Sequence, residues 1–176
     1  MAIGRVYNVD VNAVNGIGIG TGGVPGTEYV ILYGGTSSEY NVSAIRVATI
    51  SLSGASYPSN GTITWRLRRV SGATGTIFVG TATAAAIGQS TTTATSTWWY
   101  STANGSGTGT YATYGAVLWE QTTPATAGAN WGEWFTPGFE LNVSPAAGSI
   151  LAVTYELGSA GTTSAVNLMP GLVISE

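Results

Sequence analysis

The chain has 176 residues and a net charge of −3, with only 7% of its residues charged, against roughly 25% in an ordinary soluble domain. It contains no His, no Cys and no Lys; its five basic residues are all Arg, and its only Asp is Asp10. The usual proton shuttle, soft-metal ligand and amine nucleophile are therefore missing, which speaks against an enzyme.

Residues 4–26 read as a Gly-rich N-terminal arm. An alternating piece, Val6-Tyr7-Asn8-Val9-Asp10-Val11, runs into Gly16-Ile17-Gly18-Ile19-Gly20-Thr21-Gly22-Gly23 and closes at Pro25-Gly26. Ordering so much Gly has a high entropy cost, and a compact core rarely begins this way. A dinucleotide-binding reading of Gly16, Gly18 and Gly20 requires a helix next, whereas Pro25 and a strand-like run follow. The arm is expected to drape over a partner, with a single domain over 27–176.

From Glu28 onward strand follows strand. Tyr29–Tyr33 is a short apolar run closed by Gly34-Gly35. Asn41–Ser53 puts Ile45, Val47 and Thr49 on one face and Arg46, Ala48 and Ile50 on the other. Asn60-Gly61 has hairpin-turn chemistry. Beyond it, Thr62–Val70 alternates cleanly: Ile63, Trp65 and Leu67 share one face, and Thr62, Thr64, Arg66 and Arg68 the other. Together these segments predict a hairpin over 41–70. Further strands are predicted at Thr76–Val79, Ser96–Tyr100, Gly115–Gln121, Gly138–Val143, Ser149–Leu157 and Val166–Ile174, separated by Gly, Pro and Asn turns. Ala82–Ile87 is the only plausible helical turn.

Nine or ten strands without helices imply an all-β, antiparallel β-sandwich, jelly-roll-like in form. Hydrophobic residues make up 44% of the chain, enough for a sizeable core. The mean hydropathy of +0.23 leaves neutral residues to cover much of the surface, and burial against other chains is one solution. No apolar run approaches the ~20 residues that span a bilayer, so no membrane partner is expected. The opening Met1-Ala2-Ile3-Gly4-Arg5 lacks a basic region followed by an apolar block. The acidic balance disfavours nucleic acid.

Two groups of residues are candidates for contact. Trp98, Trp99, Trp131 and Trp134 offer flat faces for stacking on sugar rings or nucleobases, or belong to the core and a subunit interface. Adjacent strand residues point to opposite faces, so Trp98 and Trp99 do not share one platform unless the strand bulges. Arg66 and Arg68 project from one strand face, with Arg69 opposite and Arg46 expected across the hairpin. Four Arg without Lys suit planar pairing to carboxylates, either on a neighbouring chain or on adjacent strands. Glu120, Glu133 and Glu140 lie near the Trp-rich region, but their spacing gives no support for a glycosidase pair. No catalytic, cofactor or metal site is expected.

The order of segments carries a resemblance. Ile45-Arg46-Val47-Ala48-Thr49-Ile50-Ser51-Leu52 precedes Trp65-Arg66-Leu67-Arg68-Arg69-Val70-Ser71-Gly72. Gly132-Glu133-Trp134-Phe135, Leu141-Asn142-Val143-Ser144-Pro145 and Ile150-Leu151-Ala152-Val153 follow. Over about residues 45–157 this pattern resembles small β-sandwich virion proteins of tailed bacteriophages. The resemblance implies a non-enzymatic capsid decoration (cement) or accessory protein, made in the host cytoplasm and located on the virion. Its partner would be the major capsid protein or another virion protein. A symmetric homo-oligomer, a trimer first, fits the axes of a shell. The alternative is a carbohydrate-binding β-sandwich of a fibre or secreted protein.

Overall fold

A computed structural model of the chain describes residues 5–10, 17–19, 26–35, 40–51, 61–74, 80–86, 94, 96–100, 110–126, 128–136, 140–143, 149–158 and 166–176. Twelve strands run through them and no helix. They are β1 (Val6–Asp10), β2 (Ile17–Ile19), β3 (Glu28–Gly35), β4 (Tyr40–Ser51), β5 (Thr62–Thr74) and β6 (Gly80–Ala86). After these come β7 (Thr97–Tyr100), β8 (Thr110–Pro124), β9 (Asn130–Trp134), β10 (Leu141–Val143), β11 (Ser149–Leu157) and β12 (Val166–Ser175).

The strands form two antiparallel sheets packed as a sandwich. In the first, β12 lies between β4 and the pair β1 and β2, while β9 and β10 share the far flank of β4. In the second the order is β7-β3-β11-β5-β8. One side of the sandwich is sewn shut by β6. Its first half pairs with β7 and its second half with β1, so a single strand passes from one sheet to the other.

The alternation in the sequence sets the faces. Ile63, Trp65 and Leu67 on β5 point inward and meet Val42, Ile45 and Val47 on β4 in one core cluster. That packing corrects the predicted hairpin over 41–70. β4 and β5 lie in different sheets: β4 pairs with β9, β10 and β12, and β5 with β8 and β11. The physical reason is burial. Each strand has one apolar face, and opposing the two faces across the sandwich hides both from water, whereas placing the strands side by side would not. The turn chemistry at Asn60-Gly61 does not decide the pairing, and residues 52–60 lie outside the described residues.

Two further expectations are corrected. The arm boundary at 26 does not hold, because residues 6–10 form β1, paired with both β12 and β6, and Tyr7 and Val9 are buried in the core. Their alternation with polar Asn8 and Asp10 outweighs the Gly-rich stretch that follows. Residues 17–19 pair with β12, while residues 11–16 and 20–25 lie outside the described residues. The expected helical turn at Ala82–Ile87 is strand β6, held by backbone pairing on both flanks; helix propensity is a weak prior beside such pairing. The strand predicted at Thr76–Val79 falls on residues outside the described set.

β12 also accommodates a proline inside a sheet. Along one flank it pairs with β2 over residues 166–168 and with β1 over 171–175. Pro170 falls in the gap between those two partners, where no ladder pair is made on that flank among the described residues and a missing N–H does least harm.

Candidate functional site

Opposite the seam, the sandwich is open. β8 ends the second sheet and β9 lies on the outer flank of the first; among the described residues each pairs with one strand only. The chain between them turns at Gly128, which lies in the left-handed region at φ 79°. It is tied down by Gly128 N–H donating to the Thr49 carbonyl at 2.9 Å and Thr49 N–H donating to the Ala129 carbonyl at 2.7 Å. Trp119 on β8 donates its indole N–H to Glu133 Oε2 on β9 at 2.6 Å, so the two edges are also joined by side chains. Among the described residues, the large apolar side chains left exposed are Tyr114, Val117, Trp131 and Trp134, with Trp134 71% exposed. All four sit on these two edge strands.

Beside the open edge, the outer face of the first sheet holds a groove. Asp10 on β1, Gly171 on β12, Arg46 on β4 and Gly132 on β9 lie in one row across four strands. Arg46 reaches over Gly171: its Nη2 donates to Asp10 Oδ1 and to Asn8 Oδ1, each at 2.8 Å. A Cβ at position 171 would stand 3.0 Å from Asp10 Oδ1 and 3.2 Å from Arg46 Nη2. Glycine is therefore what lets this pair lie flat across the sheet. The groove has a volume of about 520 Å³ and is also lined by Ala48, Asn130, Trp131, Met169 and Pro170.

Arg66 and Arg68 occupy the outer face of the other sheet, where they are matched within the chain. Arg66 Nη1 donates to Glu156 Oε2 at 2.7 Å and its Nε to Glu120 Oε2 at 2.6 Å. Arg68 Nη1 donates to Glu28 Oε2 at 2.6 Å, its Nη2 to the Gly115 carbonyl at 2.6 Å, and its guanidinium lies 5.1 Å from the centre of the Tyr114 ring. Glu28 also accepts from the Thr154 hydroxyl. Burial disfavours the Arg66 charge, yet the hydrogen bonds to Glu156 and Glu120 outweigh it and hold its pKa above the ordinary arginine value.

The remaining candidates scatter. Arg69 points away from Arg66 and Arg68, with Nη2 3.5 Å from the Asn142 carbonyl of β10. Trp98 is a core residue, edge-to-face with Tyr40 at 5.5 Å, with its indole N–H on Ser96 Oγ at 3.0 Å. Trp99 stacks on Tyr33 at 5.5 Å. The expected split of Trp98 and Trp99 between faces is thus present. The four Arg do not form one cluster, because Arg46 sits on the opposite sheet from Arg66 and Arg68.

Of the eight candidates, Trp131 and Trp134 stand on β9 and Arg46 pairs with Gly132 between them, but the register puts Trp131 on the face of core residue Val47 and Trp134 on the opposite face with Ala44. Sequence reading missed Asp10, Glu28 and Gly171. The signal for Gly171 was faint: a glycine within an apolar strand marks a bulge or a close approach, and here it is the approach of a side chain from the next strand. Among the described residues, no three acidic side chains gather to hold a metal ion. Comparison with protein-family models, with curated proteins and with solved structures finds no match to this chain.

Proposed function

We propose that the chain is a non-enzymatic structural protein of a tailed-phage virion, a capsid decoration or cement protein that docks through the open β8–β9 side. The observation that carries this reading is the confinement of the exposed large apolar residues to two edge strands on one side of the sandwich. Edge strands ordinarily carry lysines, prolines or inward-pointing charges that block further pairing. Here Pro124 ends β8 and Glu133 on β9 is turned inward to Trp119, so docking on this side would be through its exposed side chains and not by strand addition. Exposed Trp and Tyr on such an edge have the composition of an interface core.

We read the strand orders β1-β12-β4-β10 and β3-β11-β5-β8 as a jelly roll with β6 and β7 inserted between β5 and β8. Viral shell proteins use that architecture, as do lectins. Attachment would be additive: apolar burial at ~25 cal/mol per Å² per subunit, repeated over a symmetric oligomer and a whole shell.

The test is co-purification with intact particles and the copy number found there, for wild type and for Trp134→Ala combined with Val117→Ser. The expected result is stoichiometric occupancy in the wild type and a clear loss in the double variant. Absence of the protein from particles overturns the virion reading, and full occupancy by the double variant overturns the docking surface.

A further inference from the structure

We infer that the mouth of the sandwich between β8 and β9 is a binding site for a neutral saccharide unit, stacked on Trp131 and hydrogen-bonded by Gln121 and Thr126. This goes beyond virion attachment and does not depend on it: Val117 and Trp134, the residues that test attachment, do not line this cleft.

The strand faces come first. Ile45 and Val47 point into the core, so their partners on β9, Glu133 and Trp131, stand on the inward face of that strand. On β8, Trp119, Gln121 and Thr123 pair with inward Leu67, Trp65 and Ile63 and share its inward face. The two edge strands therefore turn these side chains toward each other across the gap between the sheets. Glu133 and Trp119 close that gap with their hydrogen bond. Two residues toward Gly128 on each strand stand Gln121 and Trp131, and there the gap stays open as a cleft. Trp131 holds an inward register position yet is 45% exposed and belongs to neither core cluster, whereas Trp119 is 8% exposed. Its broad apolar face is left for an occupant from outside the chain.

The lining sets the chemistry of that occupant. The cleft has a volume of about 560 Å³, within the roughly 300–1,000 Å³ of small-molecule sites. Gln121, Thr123, Pro124, Thr126 and Trp131 contribute to its walls, and no described residue of the lining is charged. A charged ligand would give up hydration there without meeting a counter-charge.

The polar groups available are neutral and of both kinds. Gln121 Nε2 donates to the Thr122 carbonyl at 2.9 Å, which orients the amide and leaves Oε1 to accept. Thr126 is exposed, and its hydroxyl both donates and accepts. Adjacent ring hydroxyls match such a set while the C–H face of the ring packs on the indole. A neutral peptide fits less well. Proline-rich segments are held in grooves lined with aromatics, and among the described residues Trp131 is the only aromatic of this lining.

The experiment is saturation-transfer NMR on the full chain with neutral hexoses and N-acetylhexosamines, alongside hexuronates, sialic acid and a neutral proline-rich peptide. Neutral sugars should bind saturably, and the acidic sugars and the peptide more weakly. Trp131→Ala and Gln121→Ala should each bind neutral sugar about tenfold more weakly, as expected for a lost stacking face or hydrogen-bond acceptor. Asp10→Asn and Trp134→Ala, on the outer face of the first sheet, should bind as wild type. Should Trp131→Ala fail to fold, Gln121→Ala decides, since that side chain bonds only to the neighbouring carbonyl. No binding of any neutral saccharide, equal or tighter binding of the acidic sugars or the peptide, or wild-type affinity in either cleft variant overturns the inference. Loss of binding in Asp10→Asn or Trp134→Ala also overturns it, because the ligand would then lie on the outer face.

Discussion

Trp119 and Glu133 clasp the two sheets at their open side, the indole N–H donating to Oε2 at 2.6 Å. Trp119 is buried and Glu133 exposed, so the carboxylate reaches in from solvent to satisfy a donor that water does not reach. Removing the acceptor leaves that donor unpaired, which costs ~1–3 kcal/mol. Glu133→Ala should therefore lower the denaturant midpoint by that amount, while Glu133→Gln, which keeps an oxygen in reach, should lose less. Equal midpoints for Ala and wild type would show that the clasp contributes nothing to stability.

Arg66 and Arg68 should matter for folding and not for attachment. Each is 14–17% exposed in its side chain and paired to carboxylates of neighbouring strands. Stripping Arg68 takes from Glu28, itself 14% exposed, its direct guanidinium hydrogen bond and leaves it Arg66 Nη1 at 3.7 Å. Arg68→Ala should destabilise by ~1–3 kcal/mol, as for a lost hydrogen bond to a charged group in a largely buried network. If docking is apolar, retention of wild type on particles should survive 1 M salt, where screening acts within about 3 Å. Release of wild type at moderate salt would point to ion pairs in the attachment.

How much of this was legible in the sequence follows from what alternation encodes. Period-two patterning gave the faces of β5 correctly, with Trp65 buried and its indole N–H on Thr123 Oγ1 at 3.0 Å, and Arg66 and Arg68 outward. It gave the faces of β4, with Ile45 and Val47 inside and Arg46 outside. It is silent on partners. Connections that cross from sheet to sheet place β4 opposite β5 and not beside it. The groove was illegible for the same reason: Asp10 and Gly171 are far apart in the chain and meet only because β1 and β12 pair.

Tyr40 should make the protein sensitive to alkali. Its ring packs on Trp98, its hydroxyl has no hydrogen-bond partner among the described residues, and burial pushes its pKa well above the ordinary value near 10. Arg69 opposes that rise and Glu176 adds to it. In the folded chain Tyr40 keeps its proton where the unfolded chain loses it. The native state then binds more protons, and stability falls as pH rises through and above about 10. Tyr40→Phe should flatten this decline and be neutral or stabilising at pH 7, because it deletes an unpaired buried hydroxyl. Tyr114, half-buried and also shifted upward, mainly by burial and then by Glu28, should leave a residual slope. A decline of unchanged steepness in the Phe variant would remove Tyr40 as its source.

Gly34 lies directly across from Trp98 on the paired strand, and a Cβ there would stand 2.8 Å from the indole ring. The ring cannot yield easily, since its N–H is held by Ser96 and its edge meets Tyr40. Gly34→Ala should cost ~1–3 kcal/mol, the range for overpacking a filled core. Thermal unfolding reads it directly, and an unshifted melting temperature would mean that Trp98 has room to move.

β1 is the strand on which closure of the sandwich depends. β6 joins the first sheet through β1 alone among the described residues, over the pairs from Tyr7–Ala86 to Asp10–Thr83. Tyr7 and Val9 are 2% and 0% exposed and belong to the main core cluster. Deleting residues 1–10 would remove both side chains, strip one flank of β12 over residues 171–175, and leave the second half of β6 without its partner. Burying one large side chain contributes ~1.5–3 kcal/mol, and the lost ladders add to that, so the loss approaches the whole stability of an ordinary domain, ~5–15 kcal/mol. The truncated chain should therefore lose cooperative unfolding and bind a hydrophobic dye. Tyr7→Ala, the milder change, should stay folded with a lowered midpoint. A truncated chain that still unfolds cooperatively, with a midpoint near wild type, would return β1 to the role of a detachable arm.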